Sequence, residues 1–345
     1  MRLCSRLIGC VLVLGLALGC AGPRGSGDGT SPGHEFSFDG PGQLAVIFER
    51  HTDSAPERTL VVYTEAGRQV VPTVQPEEVR WLSTQELLVT VPETRSGRAR
   101  GSSARLPASE LRLIDLEGQV IARIGTARAL YSPEPSPDGA FLALRVDVNT
   151  RGESDLEIWS LRANTGRIAQ LRRALDGPRW SPDGARLVVA EPRQDAESDS
   201  HAVGFAGVRL PFPRLVLLRP SLSGPMVSLS DGPEPARNVA GGSFPLWWDR
   251  EGIWARQRGS LVRCDAERGG CVPVYQLSEG AMIVGGRRTG ERTALLLVRR
   301  DANSSGVLAN ELHRVDLVPG TGTMLWSAPP GLAIADLHWV VDQGD

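Results

Sequence analysis

Apolar and polar residues alternate in short runs along most of this chain. In "ARLVVAE" (185–191), Leu187 and Val189 face one way while Arg186 and Val188 face the other. A period of two predicts β-strands. The runs come in pairs divided by turn residues, and two of the turns are identical. "PEPSPDGAFLAL" begins at Pro133 and "PRWSPDGARLVV" at Pro178. In SPDG the proline presets φ for the second turn position, the aspartate bonds its own turn backbone and the glycine accepts φ > 0. Such a turn joins adjacent antiparallel strands.

A second hairpin follows each first one. It reads "DLEIWSLRANTGRIAQL" at 155–171 and recurs at 59–74, 110–124, 214–229, 260–275 and 311–326. The first hairpin is more eroded, with copies starting at Val79, Pro133, Pro178 and Pro245 and a poorer one at Met282. Its sixth copy is split, "DLHWVVDQGD" ending the chain and "GQLAVIFER" lying at 42–50. Four-stranded units of about 50 residues repeated around a ring are the signature of a β-propeller.

The expected fold is therefore all-β, a six-bladed β-propeller closed by the C-terminal strand completing blade 1. Blade 1 is expected at 43–76 plus 334–345, blade 2 at 77–126, blade 3 at 127–174, blade 4 at 175–238, blade 5 at 239–279 and blade 6 at 280–333. Pairing strands from opposite ends of the chain removes a weak seam. Trp81, Trp180, Trp247 and Trp339 fall at one place in their repeats. They read as core between blades rather than as a ligand-stacking box.

Residues 178–184, "PRWSPDG", and 133–139, "PEPSPDG", resemble the TolB-type (WD40-like) propeller repeat, whose consensus is proline, any residue, Trp-Ser-Pro-Asp-Gly. The resemblance spans 43–345 at the level of repeats and implies the propeller fold. Such propellers serve envelope scaffolds, peptidase gating modules and sugar-processing enzymes, so fold alone names no function. TolB carries an N-terminal α/β domain where this chain has a Gly/Ser/Pro-rich stretch, so TolB's own partners do not transfer.

The N-terminus adds a compartment. Arg2 and Arg6 precede the apolar run Leu7–Gly19, and Cys20 follows. This is the charged, apolar and small-residue order of an export signal, and the run is shorter than the ~20 residues a bilayer span needs. Residues 1–19 are expected to be a lipoprotein signal peptide, with Cys20 lipidated and 20–42 a flexible tether. An ordinary signal-peptidase site at Ala17–Gly19 is the alternative. It would leave Cys20 an odd free thiol in an oxidising compartment. Ala21 after the cysteine resembles lipoproteins kept in the outer membrane, so the expected location is the cell envelope, facing the periplasm.

Composition excludes more than it suggests. Thirty-eight basic residues against 40 acidic ones give a net charge of −2, and every basic residue is arginine. The arginines are scattered and balanced by acids, as codon bias in a GC-rich genome would leave them. No basic stripe with interleaved aromatics suggests nucleic acid. Cys264 and Cys271 flank "DAERGG" in one hairpin and are expected to form a disulfide, the spacing fitting neither C-x-x-C nor zinc motifs. The five histidines make no metal motif. No cofactor or metal is expected. His338, on an expected innermost strand, is the candidate channel residue, its ordinary reading being a satisfied core histidine. No G-x-S-x-G elbow occurs.

Loop length is the remaining asymmetry. Connections between the two hairpins of a blade are long at 92–109, 145–155, 192–213 and 299–310, and insertions on one face of a repeat array often mark its binding surface. Arg95, Arg98, Arg100 and Arg105 make one such loop basic. Phe205, Leu210 and Phe212 make another apolar at a cost in water. The expected function is a non-enzymatic, lipid-anchored envelope scaffold. It binds the membrane through Cys20 and an unidentified envelope protein, with glycan a further candidate ligand, through the loop-rich face. The alternative is a carbohydrate-active enzyme, a glycan lyase or hydrolase, with its site in the central channel. Carboxylates converging at glycosidase distances in the channel would favour the enzyme. A mixed, solvated funnel would favour the scaffold.

Overall fold

The structure is a computed structural model and describes residues 42–52, 56–92, 109–128, 130–146, 154–161, 167–192, 213–219, 227–228, 243–257, 259–268, 270–300, 309–329 and 331–340. These residues form strands β1–β24, numbered in chain order and grouped in six four-stranded antiparallel sheets. In the first sheet β24 (Leu332–Val340) pairs with β1 (Gln43–Arg50), followed by β2 (Glu57–Thr64) and β3 (Gly67–Val71). The second holds β4 (Glu78–Trp81), β5 (Glu86–Pro92), β6 (Ser109–Asp115) and β7 (Val120–Arg128). The third holds β8 (Leu130–Pro135), β9 (Phe141–Val146), β10 (Ser154–Ser160) and β11 (Arg167–Ala174).

The fourth sheet holds β12 (Arg179–Trp180), β13 (Leu187–Pro192), β14 (Pro213–Arg219) and β15 (Val227–Ser228). The fifth holds β16 (Ser243–Asp249), β17 (Gly252–Gln257), β18 (Ser260–Asp265) and β19 (Gly270–Gln276). The sixth holds β20 (Met282–Arg288), β21 (Thr293–Arg299), β22 (Glu311–Asp316) and β23 (Thr321–Ser327). The first strand of each sheet touches its counterparts, β24 against β4, β4 against β8, β8 against β12, β12 against β16, β16 against β20 and β20 against β24.

The second strand of a sheet is buried on both faces, because a neighbouring sheet covers each. Leu44, Ala45, Val46, Ile47 and Phe48 of β1 are each at most 1% exposed. Ala45 and Ile47 pack on Val79, Leu87 and Val89 of the second sheet, whereas Leu44, Val46 and Phe48 pack on Leu295, Leu297 and Leu312 of the sixth. β13 divides the same way. Leu187 and Val189 join Ala143 and Ile158, while Val188 and Ala190 join Ile253 and Ala255. Each such Leu, Val, Ile or Phe contributes roughly 1.5–3 kcal/mol by leaving water. The outermost strands β3, β19 and β23 are largely exposed.

Chain ends meet in the first sheet. Leu44 stands opposite Trp339 and Val46 opposite Leu337, with a register shift between Ile47 and Phe48. Trp81, Trp180, Trp247 and Trp339 are 4–5% exposed and sit in clusters spanning adjacent sheets, as expected of core.

The two SPDG turns are built alike. Gly139 and Gly184 take φ of 63° and 68°. Asp138 Oδ1 accepts from Ser136 Oγ and the Ala140 amide, and Asp183 Oδ1 accepts from Ser181 Oγ and the Ala185 amide. The serine hydroxyl also accepts the amide five residues on, from Phe141 at 2.9 Å and Arg186 at 2.9 Å. Cys264 and Cys271 are directly opposed on β18 and β19 and form the disulfide.

Candidate functional site

The residue just before the repeat tryptophan defines one level of the axis. In chain order that position holds Arg80 on β4, Glu134 on β8, Arg179 on β12, Leu246 on β16, Arg287 on β20 and His338 on β24. Proline replaces the tryptophan after Glu134, and Arg288 replaces it after Arg287. On the other five strands alternation turns this residue to the side opposite the tryptophan position, whereas Leu246, next to a register shift, joins Trp247 in the packing between sheets.

Glu134 is the hub. Its Oε1 accepts from Arg287 Nη1 at 3.0 Å, while Oε2 lies 3.5 Å from Arg80 Nε and 3.9 Å from Arg179 Nη1. Burial pushes the Glu134 carboxyl up, but Arg287, Arg179 and Arg80 outweigh it and its pKa is lowered. Glu134 sits just past an irregularity in the β8–β9 register, where Ser132 takes a φ of 50°. A left-handed serine beside a buried charge is a local strain that the surroundings hold in place.

Side chains seal the free edges of the innermost strands. Asp336 Oδ2 accepts the Val79 amide at 2.9 Å and Arg80 Nη1 at 2.6 Å. His338 Nδ1 accepts the Trp81 amide at 3.1 Å, and Glu78 Oε2 accepts the Ser132 amide. On the other side, Arg179 Nε donates to the Leu246 carbonyl at 2.6 Å, and Arg256 Nη1 donates to the carbonyl of Ile283 at 3.1 Å. An unpaired strand edge exposes donors and acceptors alike, and both kinds are met here.

Burial and the nearby charges set the protonation states. Burial, opposed by Arg80 and reinforced by Asp336, pushes the Glu78 carboxyl up to about 7. Burial, then Arg287, Arg80 and Arg179, holds His338 well below the usual imidazole value, so it is neutral near pH 7.

A funnel of about 870 Å3 opens onto Glu134, Arg287 and His338. Its wall includes Pro137, Pro182 and the segment Gly290–Arg292, which lie in the turns joining the first and second strands of their sheets. The funnel therefore lies at the end of the sheets where first strands turn into second ones, opposite the end where second strands finish at Pro92, Val146, Pro192 and Arg299. At the mouth, Arg288 is paired with Asp249 at 2.6 Å and with Glu251 at 2.7 Å.

No family model matches the chain, and no curated protein sequence matches it. Among solved structures, TolB from Acinetobacter baumannii is similar at a TM-score of 0.60 and 14% identity, over 89% of this chain and 68% of that one. The fold is that of a β-propeller. The β-propeller domain of the Trilobed protease from Pyrococcus furiosus aligns at a TM-score of 0.45 and 14% identity, over 85% of this chain and 94% of that one. An oligogalacturonate lyase in complex with manganese aligns at 0.46 and 13% identity, over 84% and 75%. At such identities the likeness is one of fold.

Of the residues singled out in the sequence, the propeller places His338 at the funnel floor and Cys264 against Cys271. Cys20, Arg95, Arg98, Arg100, Arg105, Phe205, Leu210 and Phe212 lie outside the described residues. The axial partners of His338 were missed. Their signal was the residue before each repeat tryptophan, which reads as variable in sequence and becomes one set only when the sheets are laid side by side. Among the described residues, no group of three or more His, Cys, Asp or Glu could hold a metal ion, and no helix is long and apolar enough to cross a membrane.

Proposed function

We propose that this chain is a non-enzymatic binding module, a six-bladed propeller closed by β24 and held at the cell envelope by lipidated Cys20. In this reading it faces the periplasm from the outer membrane and engages an envelope protein through its loop-rich face. The supporting observation is the state of the axial carboxylates. Glu134 is held ionised among Arg80, Arg179 and Arg287, and Asp336 is bound to Arg80 and the Val79 amide. Glu134, so held, has no proton to donate to a leaving group, and general-acid work needs one. The succession of contacts from β24 round to β20 supports the six-bladed count.

Glu78 favours the second reading, a carbohydrate-active enzyme. A carboxyl with a pKa of about 7 beside Asp336 is the pairing of unlike carboxylates that acid–base catalysis uses. Against it, the Oε2 of Glu78 is engaged by the Ser132 amide.

The test of the scaffold reading is replacement of residues 193–212 by a short Gly-Ser turn. Pro192 and Pro213 are opposed on β13 and β14, so a short turn rejoins the strands. Cross-linking in intact envelopes should then lose the partner bound by the native chain, and retention of every partner would refute the interface. Cys20→Ser should move the chain from the membrane fraction to the soluble one.

A further inference from the structure

Among the described residues the outermost strand of each sheet has one edge with no partner strand, and five of the six edges are guarded. β3 and β7 carry Arg68 and Arg123, β11 is rich in arginine, β19 has Pro273 within it and β15 spans two residues. Charge, proline and shortness are the devices that keep sheet edges apart. β23 has none of them. Its seven residues, Thr321–Ser327, read TGTMLWS, with no charged residue and no proline, and all but Trp326 are exposed. One register shift, facing Leu312 and His313, interrupts its pairing with β22.

This edge is fixed in place and apolar. Gly320 and Gly322 set the start of β23 against Val274 and Tyr275 of β19, so closely that a Cβ at either glycine would collide. A strand already held by its neighbour gives up little freedom when it pairs. Met324 and Leu325 on β23, Val318 in the turn before it and Val272 on β19 are large apolar side chains left in water.

We propose that the chain forms a two-fold dimer in which β23 pairs antiparallel with β23 of a second copy, joining two four-stranded sheets edge to edge. A second copy is the occupant because the edge is its own complement. Antiparallel pairing about a two-fold axis satisfies the backbone groups of both edges and uses each edge once, so association stops at two. An uncharged strand meets no like charge in its copy, and a net charge of −2 opposes self-association little. The axis also brings the exposed Met324 and Leu325 of one copy beside those of the other. At about 3.3 Å per residue the seam is ~23 Å long. It is small against the ~1,600 Å2 of a standard interface, which sets the expected Kd in the micromolar range.

Sedimentation velocity of the full chain between about 1 and 100 μM should show monomer giving way to dimer. Hydrogen exchange at the two ends of that range locates the surface without any variant. Amides of Thr321–Ser327 should slow as concentration rises, and those of β3 and β7 should not. Thr323→Lys with Leu325→Lys should weaken dimerisation by about 10-fold or more, as should Thr323→Glu with Leu325→Glu. An equal mixture of these two variants should dimerise again. Ile121→Lys on β7 is the control and should leave the dimer intact. A monomer across the whole range would overturn the proposal. So would a dimer that survives both charge variants while β23 exchanges freely, since another surface then holds it. Protection of β23 in a monomer only after envelope extract is added would also overturn it, the occupant then being a partner's strand.

Discussion

The axis is sealed in two different ways on its two sides. Where β24, β4 and β8 meet, carboxylates and an imidazole accept strand-edge amides, Asp336 from Val79, His338 from Trp81 and Glu78 from Ser132. Where β12, β16, β17 and β20 meet, arginines donate to strand-edge carbonyls, Arg179 to Leu246 and Arg256 to Ile283. The backbone problem is the same, an edge with orphan donors and acceptors. The solutions differ in one respect that matters. Carboxyl and imidazole groups gain or lose charge in acid to neutral solution, Glu78 at about 7, whereas guanidinium does not. One side of the axis therefore closes its strand edges with titrating groups and the other closes them with groups that stay charged, and Glu134 pairs with arginines of both.

Mutations sharpen this contrast in order of size. Asp336→Ala leaves the Val79 amide without its acceptor and takes the nearest carboxylate from the buried Arg80, which keeps the Val79 carbonyl and Glu134. Unfolding by urea should show a loss of about 3–5 kcal/mol, the range for breaking one partner of a buried pair. A loss below ~1 kcal/mol would mean water already serves that edge. The double change Cys264→Ser and Cys271→Ser, remote from the axis, should cost about 2–3 kcal/mol by the chain-entropy account. It should leave the pH dependence of stability as it was.

Glu78 is tested by pH. Its pKa is about 7 in the folded chain against 4.5 unfolded, so its contribution is fully present below 4.5 and is lost as pH rises through about 7. His338 works the other way. Its folded pKa lies well below 6.5, so its contribution is present above 6.5 and is lost as pH falls toward the folded value. Glu78→Gln keeps an acceptor for Ser132 and removes the charge. The variant should gain on the native chain between pH 5 and pH 8 by on the order of 1–3 kcal/mol. An unchanged difference across that range would place Glu78 in solvent. The smallest effect belongs to the arginine side. Arg256→Met removes donors to the Ile283 carbonyl and to Asp176, and should cost about 1–2 kcal/mol with no change in the pH slope between about pH 6 and pH 8.

Much of this architecture was legible in the sequence because repetition amplifies weak signals. One alternating run such as "ARLVV" is ambiguous. Many, spaced by turn residues and ending with a half-hairpin whose complement at 42–50 opens the repeats, point to a last strand that pairs with the first, and β24 does lie on β1. The axial site was only partly legible. His338 was visible because histidine is rare here, with five in the chain. Arg80, Arg179 and Arg287 hid among scattered arginines whose number reads as composition. Glu134 hid in a copy where proline replaces tryptophan. Their joint meaning is a property of residues 45 to 258 positions apart meeting at one axis, which no local pattern encodes. The long connections stood out by length, and they lie outside the described residues.

The central claim is that side chains from a neighbouring sheet close the free edges of the innermost strands. Amide hydrogen exchange at Val79, Trp81 and Ser132 measures this directly, residue by residue. The account predicts that these three amides exchange as slowly as the ladder amides of β5, and that Asp336→Ala speeds Val79 alone among them. Exchange of the three in the native chain at the rate of exposed turn amides would contradict it.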